Sequence, residues 1–127
     1  LNEEFHFTLD AAASDKNHKC PRYYTEETDG LSHSWGGETV FLNPPYGKEI
    51  GLWMKKAFSE NLGGVTVVAV VPARTSTRWF HDYVYGKAEL RFIKGRLKYT
   101  DEDGNAKDPA PFDSMIVIYR GEAVCTK

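Results

Sequence analysis

The chain has 127 residues, enough for one domain with a single core. Its 41% hydrophobic and 27% charged residues are typical of a soluble globular protein, and no apolar run reaches the ~20 residues of a membrane span. The net charge of −2 argues weakly against a nucleic-acid-binding protein, but residues 74–98 contain seven basic and two acidic residues. This segment predicts either a surface for a polyanion or an ordinary solvated surface.

The two cysteines, Cys20 and Cys125, are far apart in the sequence. They predict reduced thiols in a cytoplasmic protein rather than a disulfide framework. His18 and Cys20 are too few for a zinc site, which needs about four ligands, so we expect no metal. The chain starts at Leu1 rather than Met, from which we expect a trimmed or processed N-terminus.

Strand and helix patterns alternate along the chain. Alternating or continuous apolar residues predict strands at 5–9, 39–42, 65–71, 89–93 and 115–119. Apolar residues spaced i, i+3, i+4, i+7 and i+8 from Ile50 predict a helix that stops at Gly63-Gly64. A second helix is predicted from a cap at Ser76 to Gly86, with its apolar side chains inward: Trp79, Phe80, Tyr83 and Val84. Polar, turn-rich residues 100–111 predict an exposed loop.

This order of elements predicts one α/β domain over residues 1–127, with a mostly parallel sheet. In such sheets ligands bind beyond the carboxyl ends of the strands. Three segments are expected there, at 10–14, 43–47 and 72–77.

Asn43-Pro44-Pro45-Tyr46 directly follows the predicted strand 39–42. The two prolines fix the backbone and lack N–H donors, which leaves the Asn43 side-chain oxygen and the Pro44 carbonyl as rigid acceptors. Such acceptors suit the exocyclic amine of adenine, because they stabilise the positive charge that forms on its nitrogen during attack. The Tyr46 ring suits stacking on a base flipped out of the duplex. The alternative interpretation is a Pro-Pro turn in which Asn43 caps the following helix.

At this motif the chain resembles the N6-adenine DNA methyltransferases, whose catalytic motif is Asn/Asp-Pro-Pro-Tyr, and especially their short phage- and prophage-encoded members. The similarity covers nearly the whole chain and is more specific than the tetrapeptide. It includes residues 7–13, 17, 19–20, 23–24, 29–31, 35, 71–74, 79–81, 95–99 and 110–112.

The resemblance implies a Rossmann-like methyltransferase fold, mostly parallel with an antiparallel last strand. It implies methyl transfer from S-adenosylmethionine to adenine N6 in double-stranded DNA, in the cytoplasm of a bacterial host, without a metal or a membrane. The implied catalytic residues are Asn43, Pro44, Pro45 and Tyr46. The implied cofactor-binding residues are Asp10, Ala11, Ala12, Asp29, Leu31 and Asn43. A helix cap at Asp10 and a turn-forming role for Asp29 are the structural alternatives.

The sequence departs from the family pattern in three respects. Residues 11–13 are alanines where wider methyltransferases have a glycine-rich turn, and Asp29 follows Asp10 by only 19 positions. That spacing is short for a full helix and strand, so Asp29 matches either of two acidic cofactor positions. Residues that usually precede the first strand, including a Trp and a Thr-Pro pair, are absent from this sequence.

Basic residues near the predicted site are candidates for DNA contacts. Arg74, Thr75 and Arg78 follow a strand end and are expected to contact phosphate near the flipped base. Residues 95–99, with Arg96 and Lys98, are interpreted as a hairpin arm on DNA, against the alternative of an ordinary edge strand. The alternatives for the function are methylation of RNA adenine or protein glutamine, and an inactive remnant that binds cofactor or DNA.

Overall fold

The computed structural model describes residues 2–13, 20–25, 28–45, 47–95, 98–100, 106–109 and 112–121. In chain order the elements are helix α1 (Asn2–Phe5), strand β1 (Leu9–Asp10), a 3₁₀ turn (Gly30–Ser32), β2 (Thr39–Leu42), α2 (Ile50–Leu62), β3 (Thr66–Pro72), α3 (Arg78–Tyr83), β4 (Glu89–Phe92), β5 (Lys98–Thr100), β6 (Ala106–Pro109) and β7 (Ser114–Tyr119). Within the described ranges, no helix has the length and apolar character to cross a membrane.

Five strands form the main sheet in the order β1-β2-β3-β7-β4. Strands β1, β2 and β3 are parallel, and β7 is antiparallel to both β3 and β4. Four strands therefore share one direction while the last strand opposes them, as the sequence predicts. The edge at which β1, β2, β3 and β4 end is called the carboxyl edge below. It is the edge at which α/β sheets bind their ligands.

The core is built around β3, whose residues from Val67 onward are all buried. It lies between β2 and β7, and its valines are covered on both faces of the sheet, which explains the continuous β-branched run. Helices α2 and α3 pack against each other and into one cluster with the sheet. Their buried contributions are Ile50, Trp53, Met54 and Ala57 from α2 and Trp79 and Phe80 from α3.

Most predicted elements are confirmed. Strand 39–42 has the predicted bounds, strands 89–93 and 115–119 differ from the structure by one residue at one end, and strand 65–71 differs by one residue at each end. Helix α2 ends at Leu62 with Gly63 as its C-cap. Helix α3 starts later than predicted, because Thr77 rather than Ser76 is the N-cap and accepts a hydrogen bond from the Phe80 N–H at 3.4 Å.

The predicted strand 5–9 is wrong over most of its length. Helix α1 ends at Phe5, and His6 has φ 55°, a left-handed conformation that interrupts an extended chain. Phe5 stacks on Phe7 with ring centroids 5.8 Å apart, and Phe7 meets Phe41 of β2 edge-on at 5.4 Å. The apolar alternation therefore reflects rings that pack on a strand, not a long strand.

The predicted loop 100–111 is also wrong in part. Strand β6 pairs with β5 as a separate two-stranded ribbon, in which Pro109 lies opposite Lys98. Proline is tolerated there because each strand of a two-stranded ribbon has an unpaired side. The ribbon begins within the predicted hairpin arm, between the carboxyl edge of β4 and the start of β7.

Cys20 is buried, with its sulfur in the thiol form. Burial raises its pKa, and the nearby carboxylates of Asp10 and Glu38 add to the effect. Cys125 lies outside the described residues.

An ion network ties α1 to β4 and to the end of β7. Arg91 donates to both carboxylate oxygens of Glu4 at 2.8 Å and to Glu89 at 3.0 Å. Arg120 donates to Glu89 at 2.9 Å. The hydrogen bond from Arg91 lowers the pKa of Glu4, and those from Arg120 and Arg91 lower the pKa of Glu89.

We expect Glu4→Gln to lower the Tm slightly at pH 7 and to have little effect in acid. A carboxylate whose pKa is lowered by folding stabilises the fold above its unfolded pKa, here 4.5, and loses that contribution as the pH falls through the lowered value. Thermal unfolding from pH 3 to pH 7 measures the effect. Asp113→Asn is the control, because Asp113 is exposed, lies in no helix and forms no ion pair with any described residue. An equal difference at both pH values would contradict the electrostatic explanation.

Candidate active site

The ends of β1 and β2 bring two predicted site segments together. Asp10 is paired in register with Phe41, and the Ala11 N–H donates to the Phe41 carbonyl at 3.1 Å. Asn43 follows Phe41 by two residues, so strand geometry puts its Cα about 8 Å from that of Asp10. Asp10 is only 3% exposed, whereas Ala12 and Asn43 are half-buried. The predicted cofactor segment and the predicted catalytic motif are therefore neighbours at the carboxyl edge.

A close backbone approach adds the segment 29–31 to this site. Gly30 is buried, and a Cβ at this position would overlap the carbonyl oxygen of Ala11 and lie 3.3 Å from the Trp53 ring. The Trp35 indole N–H donates to the Gly30 carbonyl at 3.0 Å. Only glycine allows this approach, which holds the residues on either side of Gly30 beside Ala11.

Asp29 has the turn-forming role that was the structural alternative for it. Its φ is 56°, and its Oδ1 accepts a hydrogen bond from the Leu31 N–H at 3.2 Å. The Asp29 side chain is nevertheless exposed, while Leu31 is half-buried against the core. Capping one turn with one carboxylate oxygen is compatible with a ligand contact by the same side chain.

The chain segment 22–24 runs beside β1, and this pairing was not predicted from the sequence. The Asp10 N–H donates to the Arg22 carbonyl at 3.0 Å, the Tyr24 N–H to the Asp10 carbonyl at 3.0 Å, and the Ala13 N–H to the Tyr24 carbonyl at 2.8 Å. The only non-glycine residues with positive φ in the described part of the chain are His6 and Asp29. Residues 11–13 thus need no glycine, which explains the alanines in place of a glycine-rich turn.

The first three residues of the predicted catalytic motif, Asn43-Pro44-Pro45, directly follow β2. Pro44 is buried and Pro45 is exposed, whereas Tyr46 lies outside the described residues. Asn43 does not cap α2, because that helix starts at Ile50 with Glu49 as its N-cap. The capping interpretation of Asn43 is therefore wrong for this helix.

A cleft of about 730 Å³ lies between α2 and α3, with Pro72 at the end of β3 in its wall. Four cationic residues line it: Lys48, Lys55, Arg74 and Arg78. Arg74 and Arg78 were predicted from the sequence as DNA contacts. Lys48 and Lys55 were not, although Lys48 closely follows the predicted catalytic motif. Thr75 is exposed and does not line the cleft.

The other predicted DNA contacts are less defined. Arg96 lies outside the described residues, and Lys98 begins β5. Across the described ranges, no three His, Cys, Asp or Glu side chains form a group able to hold a metal ion.

The sequence model of the DNA N-6-adenine-methyltransferase (Dam) family matches residues 1–124. The chain belongs to this family. The resemblance inferred from the catalytic motif is thereby confirmed.

Two curated relatives are DNA N-6-adenine-methyltransferases of phages. The protein of Escherichia phage T1 is 37% identical over 100 residues, which cover 78% of this chain and 41% of the relative. The protein of Haemophilus phage HP1 (strain HP1c1) is 28% identical over 119 residues, which cover 92% of this chain and 69% of the relative. The match to the T1 protein thus spans about two fifths of that relative's length.

We expect Gly30→Ala to destabilise the fold by about 1–3 kcal/mol, because its Cβ would meet the Ala11 backbone, which cannot move without disturbing β1. Urea unfolding measures the change. Gly51→Ala is the matched control, since the new Cβ would make an ordinary contact of 3.7 Å with Trp79. Gly51 lies inside α2, where alanine favours the helix. Equal stability of Gly30→Ala and Gly51→Ala would contradict the close approach.

Proposed function

We propose that this chain is the catalytic domain of an S-adenosylmethionine-dependent methyltransferase that modifies adenine N6 in double-stranded DNA. The single observation that carries the proposal is the placement of Asn43-Pro44-Pro45 at the carboxyl edge, one strand away from the buried Asp10. Membership of the Dam family and the names of both phage relatives support it. We further propose that the sheet is a Rossmann-like methyltransferase fold in a protein of a phage or prophage, acting in the bacterial cytoplasm.

The residues at the edge fit S-adenosylmethionine. The carboxylate of Asp10 suits the ammonium group of the methionine part, and the fixed backbone of residues 11–12 gives that part a rigid support. Asp29 offers an exposed carboxylate to ribose hydroxyls, and Leu31 offers apolar surface to the adenine ring. The Gly30 approach joins these two halves into one cradle. When bound, the cofactor supplies the methyl group.

The catalytic motif acts by accepting hydrogen bonds. The Asn43 side-chain oxygen and the Pro44 carbonyl take the two N–H groups of the adenine amine, whose lone pair is otherwise delocalised into the ring. Because Pro44 is buried and its φ is fixed by the ring, the acceptors need no reorganisation during transfer. Tyr46 completes the motif as the stacking partner of the flipped base.

DNA is held by cations around this site. We propose Arg74, Thr75 and Arg78 as phosphate contacts, with Arg96 and Lys98 as further contacts. Exposure of the first three side chains supports this role.

We expect Asn43→Ala to reduce kcat by about 10²–10³-fold while cofactor affinity is largely kept, because the main loss is an interaction of the transition state and the other cofactor-binding residues are unchanged. Asn43→Asp keeps a side-chain acceptor and should retain much more activity. Transfer of labelled methyl to duplex DNA, to RNA and to a glutamine-containing protein, followed by nucleoside and residue analysis, identifies the acceptor. Labelled RNA or glutamine without N6-methyladenine in DNA would sink the proposal.

Asp29→Asn separates the cofactor role of this residue from its turn-forming role. Asparagine keeps an oxygen for the Leu31 N–H and tolerates a positive φ, so the Tm should stay close to that of the wild type. Removal of the charge should weaken S-adenosylmethionine binding about tenfold, which isothermal titration calorimetry measures. Unchanged cofactor affinity would show that Asp29 forms the turn but does not bind the cofactor.

A further inference from the structure

Resting on the proposed function, we infer that the cleft between α2 and α3 binds the sugar-phosphate backbone of DNA beside the target adenine. Lys48 and Lys55 come from one side of this cleft, and Arg74 and Arg78 from the other. The two lysines are assigned here as additional DNA-binding residues.

The position of the cleft follows from the register of the sheet. Leu42 is paired with Ala69, so the motif that follows Leu42 runs alongside the last residues of β3. Pro72, at the end of β3, is part of the cleft wall, as are Gly47 and Lys48 directly after the motif. The cleft therefore begins where the catalytic motif ends. A DNA strand whose flipped base enters the site would pass next to the cleft.

The described residues do not neutralise the charge of the cleft. Lys48, Lys55 and Arg74 are exposed and form no ion pair with any of the described residues. Arg78 is 96% exposed and has only Asp82 as a partner, at 3.9 Å, a pair that contributes little at such exposure. Four basic residues against one acidic residue leave a net charge of +3 in the lining. By contrast, Arg91 and Arg120 are engaged with Glu4 and Glu89.

One wall of the cleft is also fixed in shape. The Arg74 guanidinium lies 5.3 Å from the centroid of the Phe112 ring, and the Arg74 carbonyl accepts a hydrogen bond from the Thr77 hydroxyl at 2.7 Å. A cleft of about 730 Å³ exceeds the size of one phosphate and suits a stretch of backbone. Cations on both sides, exposed and mostly unpaired, match a polyanion that runs between them.

The test is the salt dependence of DNA binding by the full chain. The double variant Lys48→Gln/Lys55→Gln should weaken binding of a fluorescent duplex and reduce the slope of log affinity against log salt by about 0.9 for each phosphate that the protein no longer neutralises. The double variant Lys48→Arg/Lys55→Arg should retain the wild-type slope. Lys87→Gln is the matched control, since Lys87 is exposed and lies just before β4, at the edge opposite the cleft.

Two results would overturn the inference. One is a wild-type slope in the glutamine double variant, and the other is salt-dependent binding of duplex RNA without binding of duplex DNA. Unchanged Tm and S-adenosylmethionine affinity show that the variants are folded. Methyl transfer by the wild type is measured separately. If the wild type forms N6-methyladenine but the glutamine double variant keeps the wild-type slope, only the inference about the cleft is wrong. If the double variant has a reduced slope but the wild type forms no N6-methyladenine, only the proposed function is wrong.

Discussion

The parallel alignment of β1, β2 and β3 brings the predicted site segments that follow these strands to one edge of the sheet. Strand β3 is paired on both sides, and its valines are buried on both faces, so its register cannot slip by one residue without exchanging the two sets of side chains. Strand β1 has only two residues and depends on β2 for its position, with the segment at Tyr23 on its other side. Because these strands end at one edge, Asp10 and the motif at Asn43 are brought together without any direct sequence relation.

The approach of Gly30 to Ala11 does what a glycine-rich turn does elsewhere. In this chain the residues after β1 are fixed by hydrogen bonds to Phe41 and Tyr24, which ordinary side chains tolerate. The conformational freedom of glycine is used one segment later, where the backbone of Gly30 passes against Ala11. The stretch after Asp10 leads into a tight turn at Asp29, directly before the glycine that contacts Ala11.

Sequence patterns predicted the buried elements well, because a helix or strand with a buried face carries apolar residues at regular spacings along the chain. Strand β2 is followed closely by two prolines that end it, and α2 carries an unbroken apolar stripe, so both were placed correctly. The pattern failed at Phe5 and Phe7, whose alternation comes from ring packing on Phe41, a contact between distant segments. It also grouped Arg91 with the basic surface, whereas Arg91 is bound by Glu4, 87 residues away. Lys48 and Lys55 were missed because a cleft between two helices has no signature in a local window.

Net charge is therefore a poor guide to the partner of this chain. At 0.15 M salt, exposed charges interact over about 8 Å, so a polyanion at the carboxyl edge senses the cations of the cleft and not the acidic residues elsewhere. Arg91 and Arg120 contribute to the fold through their carboxylate partners, whereas the cleft cations have no comparable partners among the described residues. A chain of net charge −2 can thus present a local charge of +3 next to its proposed catalytic motif. Such local charge makes binding of a nucleic acid depend on salt and on position, with little contribution from the overall charge of the protein.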